Sequence, residues 1–446
     1  MLFAIILLGV VLIVFSTAVL KVHPFISLIV AAFFVGIAAG LPLVDVVRFV
    51  NEGFGGLMTS IGLVIVAGTI IGVILEKSGA AYRMAEVVLR VIGEKRPQLA
   101  MSLIGYIVSI PVFCDSGYVI LSSLKKALAK RAKVAVASMA IALATGLFAT
   151  HTLVPPTPGP IAAAGNIGAA DYLGTIILVG LLIAIPAVIV GYIWAVKVGS
   201  KIQVEEDLEA LDYDEIISSF GKMPSTVKSF LPLVVPIALI AFGSIATALG
   251  GEGNITAFFQ FLGAPTVALF LGVFAALPLL PSYDKDTLTG WVGDGLKEAA
   301  PILLITGAGG AFGTVIRNTG VAQQLEAMDL SAFGTGALFL IVPFLIAAAL
   351  KTAQGSSTTA LVITSTLVAP LVVELGITGG VALALVVMAI GAGAMTVSHV
   401  NDSFFWVVTE FSGMKVTDAY KAMTMSTLLM GVTTIAVTML AWVIFV

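Results

Sequence analysis

Four short polar runs interrupt an otherwise apolar chain, and they hold most of the residues able to do chemistry there. They are Cys114-Asp115-Ser116-Gly117, Thr150 to Pro160 (THTLVPPTPGP), Lys351 to Thr359 (KTAQGSSTT) and Ser398 to Ser403 (SHVNDS). Asp115 and Asp402 are the sharpest signals. A carboxylate at the centre of a bilayer costs about 2.5–3.5 kcal/mol, so it is rarely placed there without a task. The task is to carry a proton or to hold substrate hydroxyls; capping an exposed helix N-terminus is the alternative, and one residue can do both. His151 and His399 are two of only three histidines. Imidazole titrates near neutral pH and suits a proton relay, although fixing a loop by hydrogen bonds is an equal use. Lys351 can attract an anion or pair with a carboxylate, but its long stem also lets it snorkel to the surface, and that structural role is the one expected. Gln354, Ser356, Ser357 and Thr358 offer neutral donors for hydroxyl or carboxylate groups, and serine and threonine also cap helices.

These runs must be positioned by membrane helices. Of 446 residues, 59% are hydrophobic and 11% charged, with a mean hydropathy of +1.13. Soluble domains carry about 25% charged residues. A span needs about 20 apolar residues, so the chain has room for roughly ten to twelve spans or half-spans. Open sheet cannot face lipid, and the unbroken apolar runs do not alternate as a barrel would; the expected fold is all-α and polytopic. A net charge of −3 with no basic stripe argues against a nucleic-acid partner, and the lone cysteine, Cys114, excludes an intrachain disulfide and a multi-cysteine metal site. Neither a metal nor another cofactor is expected. An intramembrane enzyme would place paired aspartates on intact helices, not in helix breaks, so no enzyme is expected either. A channel remains the alternative within transport.

The stretch 197–228 is the one long hydrophilic linker and divides the chain into a first membrane repeat, 1–196, and a second, 229–446. Basic residues between Lys77 and Arg96, Lys125 and Lys133, and in the linker put those segments in the cytoplasm by the positive-inside rule. Segment 98–124 then enters and leaves from the same side and reads as a re-entrant hairpin with its tip at Pro111–Gly117. Carried forward, this threading puts both termini outside, nineteen of the 22 Lys and Arg inside, Arg48 and Arg317 outside, and Lys351 within an apolar segment. Residues 80–96, with Met84, Val87, Val88 and Val91 on one apolar face, suggest either an amphipathic helix on the cytoplasmic interface or, equally, an ordinary loop helix.

The halves resemble each other at an offset of 241: Ile71 to Gly79 matches Phe312 to Gly320, and Asp115-Ser116 falls on Ser356-Ser357. Because the threading runs 57–75 inward and 298–316 outward, the repeat is inverted, an architecture of many secondary transporters. Each half supplies a hairpin (98–124, 336–372) and a broken helix (134–167, 379–409). Helix N-termini aimed at a common point make a site for an anion, so four converging breaks would form a carboxylate pocket without a cluster of arginines.

At these same stretches the chain resembles the gluconate permease family, on the motifs PVFCDSGY, THTLVPPTPGPIAAAGNIGA, KTAQGSSTTA and SHVNDSFFW and over nearly its whole length. The resemblance implies proton symport of gluconate or a related sugar acid, with other small hydroxy or amino acids as alternatives. It also implies a homodimer with scaffold and transport domains, elevator-type alternating access, and residence in the cell's inner membrane. By the hairpin motifs it places Asp115, Ser116, Gly117, and Gln354, Gly355, Ser356, Ser357 and Thr358 in the site. The broken-helix motifs add His151, Thr152, His399, Asn401 and Asp402.

Overall fold

The computed structural model describes residues 2–93, 96–204, 223–248, 253–320, 336–399 and 402–446. Most of the linker, at 205–222, and Asn401 lie outside the described residues. Within them the secondary structure is helical throughout. The first half contains α1 (Leu2–Ala18), α2 (Pro24–Ala38), α3 (Leu43–Leu57), a π-turn at Met58–Gly62, α4 (Leu63–Lys77) and α5 (Ala80–Ile92). It continues with α6 (Pro97–Val108), α7 (Cys114–Ala132), α8 (Val136–Leu153), α9 (Pro158–Asn166) and α10 (Leu173–Lys197). The second half contains α11 (Thr226–Ala248), α12 (Asn254–Gly263), α13 (Pro265–Ala276) and the long α14 (Lys285–Asn318). After it come α15 (Ile341–Gln354), α16 (Ser357–Glu374), α17 (Gly380–Met395), α18 (Ser403–Glu410), α19 (Val416–Ala419) and α20 (Met425–Phe445).

Among the described residues, eight helices are long and apolar enough to cross a membrane, or nine if the bent pair α12–α13 is one span. The chain is a multi-pass membrane protein. That pair bends by 65° at Ala264, where the sequence reading expects one continuous segment near 257–280. Gly263 is the last residue of α12 and Pro265 the first of α13. A proline has no N–H to continue a helix and pushes its predecessor out of the helical region, which explains the corner.

The element order repeats at the offset found in the sequence. Shifting the numbers by 241 lays α3 to α4 on α14, α6 and α7 on α15 and α16, and α8 and α9 on α17 and α18. The helices pack as two groups. α2, α3 and α4 lie against α14, and α4 and α11 lie against α13. The hairpins, the broken helices, α10 and α20 pack among themselves, with α6 and α10 on α8 and α15 and α20 on α17. The groups meet where α16 touches α14, and where the tip carbonyls of Pro111 and Pro156 come against Gly72 and Gly68 of α4. Only a glycine allows a carbonyl so near the helix axis: a β-carbon on Gly72 would stand 2.6 Å from the Pro111 oxygen.

Three expectations are corrected here. Lys125 is not in a cytoplasmic loop. It lies within α7, is fully buried, and leaves the loop tally. The Lys125 ammonium donates to the Tyr118 hydroxyl (3.1 Å), the Phe411 carbonyl (3.0 Å) and Ser412 Oγ (3.0 Å). Lys351 does not snorkel; it too is fully buried. Finally, the helix at Ala80–Ile92 turns Ala81, Tyr82, Met84, Ala85 and Val88 against α6 and α11, while Val91 is exposed. Protein covers that face apart from Val91, so the helix is packed onto the bundle and does not offer its whole apolar face to a membrane surface.

Candidate functional site

The two hairpins turn for different local reasons. In the first, α6 ends at Val108 and α7 restarts at Cys114 after Pro111, with Ser109 Oγ donating to the Val112 carbonyl at 2.9 Å. In the second, Gly355 adopts φ +87°, a left-handed conformation that costs glycine little and closes α15. Ser356 then caps α16, its hydroxyl oxygen accepting from the Thr359 N–H at 3.2 Å. The second broken helix stops at Met395 and restarts at Ser403 behind Asp402, whose Oδ1 accepts from the Phe404 N–H at 3.1 Å. The first breaks across Val154–Thr157 and restarts with Pro158 at its first position.

These turns enclose a cavity of about 250 Å³. It is lined by Phe113, Cys114 and Asp115 from the first tip, and by Gly355, Ser356, Ser357 and Thr358 from the second. Asp402, Ser403 and Phe404 come from the second broken helix, and Phe148 and His151 from α8. Three helix N-termini, of α7, α16 and α18, therefore open onto one space with their positive dipole ends. The first broken helix contributes through the end of α8 instead, so three of the four expected N-termini converge on the cavity, not four. Each broken helix also leans on the hairpin of the other half. A β-carbon on Gly159 of α9 would meet Leu361 of α16, and Phe404 of α18 stands edge-on to Tyr118 of α7 at 6.0 Å.

The cavity's charges are unequally compensated. Lys351 Nζ is 2.6 Å from Asp402 Oδ2, with their side chains 0% and 5% exposed. The same ammonium donates to the Gly355 carbonyl and lies 5.3 Å from the centre of the Phe148 ring. Ser398 Oγ donates to Asp402 Oδ2 as well. Asp115, by contrast, has no ion pair among the described residues; its Oδ2 receives the Cys114 thiol at 3.5 Å, and the Ser403 hydroxyl approaches it. His151 Nδ1 and Ser357 Oγ are buried with no hydrogen-bond partner among the described residues, yet both residues line the cavity. Buried polar atoms are nearly always paired, so two orphans around one space mark positions a ligand could satisfy. Among the described residues, no group of His, Cys, Asp and Glu could hold a metal ion.

Of the residues singled out from sequence, Asp115, His151, Gly355, Ser356, Ser357, Thr358 and Asp402 stand around the cavity. The others fall elsewhere. His399 donates from Nε2 to the Thr352 carbonyl (2.9 Å) and ties the second break to the second hairpin. Ser116 turns toward Glu76 of α4, and Gly117 packs on Leu147. Thr152 donates back to the Phe148 carbonyl at 2.9 Å. Gln354 is the last residue of α15; its side chain, like the whole of Asn401, lies outside the described residues. Missing from the sequence-derived set are Lys351, Phe113, Cys114, Phe148, Ser403 and Phe404. Two of them carried a readable signal: Lys351 sits one helical turn before the Gly355 tip, and Phe148 one turn before His151.

The family model of GntP family permeases matches residues 1–444. The chain is similar, at 32% identity over 98% of its length and 97% of the relative's, to the inner membrane permease YgbN of Escherichia coli K12. It is 31% identical to a gluconate permease of Pseudomonas aeruginosa PAO1, over 95% of this chain and 94% of that one. It is also 31% identical to the D-serine transporter DsdX of Escherichia coli K12, over 97% and 96%. Two solved structures share its fold at 15% identity. They are the Alcanivorax borkumensis YdaH transporter (TM-score 0.68, covering 95% of this chain and 99% of that one) and Neisseria gonorrhoeae MtrF (TM-score 0.67, 96% of each).

Proposed function

Because the chain belongs to the GntP permease family, and is thus a membrane transporter and not an enzyme, we propose that it is a proton-coupled importer of a small organic acid. Gluconate or a related sugar or hydroxy acid is the proposed substrate, as the name of the Pseudomonas relative suggests. The reading rests on one observation: a mid-chain cavity ringed by three helix N-termini also contains Asp115, a carboxylate without an ion pair among the described residues. Helix N-termini attract an anion. An ionised Asp115 repels it, so substrate and proton bind most favourably together. An anion entering with one proton is electrically neutral, and the membrane potential does not oppose it.

In this reading the tips close over substrate and proton, and the group of hairpins and broken helices moves as an elevator against α1–α4 and α11–α14, in an inner-membrane homodimer with both termini outside. The domain division is then 1–196 and 229–446 around a cytoplasmic linker at 197–228. A second substrate class has its own support: a cavity carboxylate with no ion pair among the described residues also suits the ammonium group of an amino acid, in line with the relative named for D-serine. Uptake of labelled gluconate and D-serine into proteoliposomes, with and without an acid-outside pH gradient, separates the two. Uptake of either substrate that ignores the gradient rejects proton coupling, and flux too fast for alternating access makes the protein a channel.

A further inference from the structure

Two carboxylates line the cavity, and proton coupling by itself does not say which one takes the proton. We infer that Lys351 is a built-in counter-ion that keeps Asp402 ionised throughout the cycle, so that Asp115 alone exchanges a proton and one coupling cation suffices per substrate. This rests on the proton-coupled reading above and specifies its stoichiometry.

The geometry is unequal in every respect that matters to a proton. Both oxygens of Asp402 already accept from donors: Oδ2 from Lys351 Nζ at 2.6 Å and from Ser398 Oγ, Oδ1 from the Phe404 N–H at 3.1 Å. A proton on that carboxyl would have to displace a donor. The ammonium is equally committed, to Asp402, to the Gly355 carbonyl and to the face of the Phe148 ring. A cation held between a carboxylate oxygen and a backbone carbonyl oxygen, in a buried helix break, occupies the kind of oxygen cage that would otherwise take a dissolved cation. Here the cation is tethered to the chain and cannot leave with the substrate. Among the described residues Asp115 meets only the weakly donating Cys114 thiol and the approaching Ser403 hydroxyl. Of the other titratable groups near the pair, His399 is engaged with the Thr352 carbonyl and Glu76 of α4 approaches Ser116; His151 faces the cavity from α8 with its Nδ1 unpartnered among the described residues, so the assignment also requires that Asp115→Asn abolish proton uptake while His151 is intact.

Removing the tether leaves a buried carboxylate without its partner, which the protein must neutralise with a cation from solution. The Lys351→Gln variant is therefore expected to carry one more positive charge per substrate than the native protein, whether a second proton or an alkali ion. In proteoliposomes a 100 mV inside-negative potential acts on each extra charge with a force equivalent to about fifty-fold in steady-state accumulation. The potential should raise accumulation by Lys351→Gln about fifty-fold more than accumulation by the native protein, and Lys351→Arg should return to the native response. Equal responses in Lys351→Gln and native protein overturn the inference. If native uptake ignores a pH gradient, it is the coupling itself that fails.

Two further measurements do not depend on the single variant folding. The paired variant Lys351→Gln with Asp402→Asn removes both charges together; it should transport more slowly yet keep native charge per substrate and a pH-driven uptake. Loss of pH dependence in that variant makes Asp402 the proton carrier and refutes the assignment. In the native protein, calorimetric titration with substrate in two buffers of different ionisation enthalpy should register uptake of about one proton; two would also refute it.

Discussion

Replacing Asp115 by asparagine tests the central claim most directly. The amide keeps the shape of the carboxyl and abolishes its charge. A substrate carboxylate sharing the cavity at roughly 4 Å from an ionised Asp115 would be repelled by about 4 kcal/mol at an effective dielectric constant near 20, a factor of about a thousand in affinity. The native protein is therefore expected to bind an acid substrate only with Asp115 protonated. Its affinity is greatest at low pH and falls by up to tenfold per unit as rising pH removes that proton. In Asp115→Asn there is no proton to lose, and affinity measured on purified protein should be flat across the same range. In vesicles, a one-unit pH gradient is worth about 1.4 kcal/mol per proton, or tenfold accumulation by the native protein and none by the variant. Folding should be little affected, since no ion pair to Asp115 exists among the described residues. A variant that still concentrates substrate tenfold along the gradient, or whose binding keeps the native pH slope, refutes the reasoning.

Asp402→Asn should behave differently, because it strands the fully buried Lys351; a stability loss of about 3–5 kcal/mol is expected in thermal unfolding of the purified protein, largely recovered when Lys351→Gln is added. Tyr118→Phe removes the hydroxyl that receives Lys125 Nζ and meets Ser412 Oγ at 2.6 Å, and should cost about 1–3 kcal/mol in the same assay. Gly72→Val forces side-chain atoms into the Pro111 carbonyl, whereas a β-carbon at Gly55 meets nothing within 4 Å; the first should lower stability by about 1–3 kcal/mol and stop uptake, and Gly55→Ala should do neither. For topology, Cys114→Ser gives a cysteine-free chain, and single cysteines added at either terminus should react with an impermeant thiol reagent from outside intact cells; reaction only after permeabilisation would invert the threading.

The architecture was legible in the sequence because its signals are local. Apolar runs give the spans, and helix-stopping residues such as Pro111, Pro155 and Gly355 give the breaks within a few residues of where they occur. The candidate site was legible in part, since Asp115, His151 and Asp402 stand out against an apolar background. What escaped was tertiary. Lys351 and Asp402 are 51 residues apart, and no spacing rule announces that a buried lysine has found its carboxylate and not the membrane surface. Lys125 was hidden the same way: the run of basic residues that follows it looks like a loop, while its own side chain turns inward to hydroxyls and a carbonyl. In helices apolar on every side, periodicity gives no face, so the rings of Phe148 and Phe404, stacked at 5.3 Å, could not be assigned to a cavity wall.

The duplicated element order has a consequence for the resting state. Equivalent places in the two halves carry unlike groups: Asp115 corresponds to Ser356, Lys351 to Ile110, and Asp402 to Ile161. Two halves of identical chemistry, related by a two-fold axis in the membrane plane, would offer a ligand the same surroundings from either side of the membrane, and an empty carrier built of them would rest equally on both. Here the acid and the lysine–aspartate pair belong to opposite halves, so in the proposed elevator cycle the two orientations would differ in energy even with nothing bound, and the unloaded carrier would have a preferred side on which to wait.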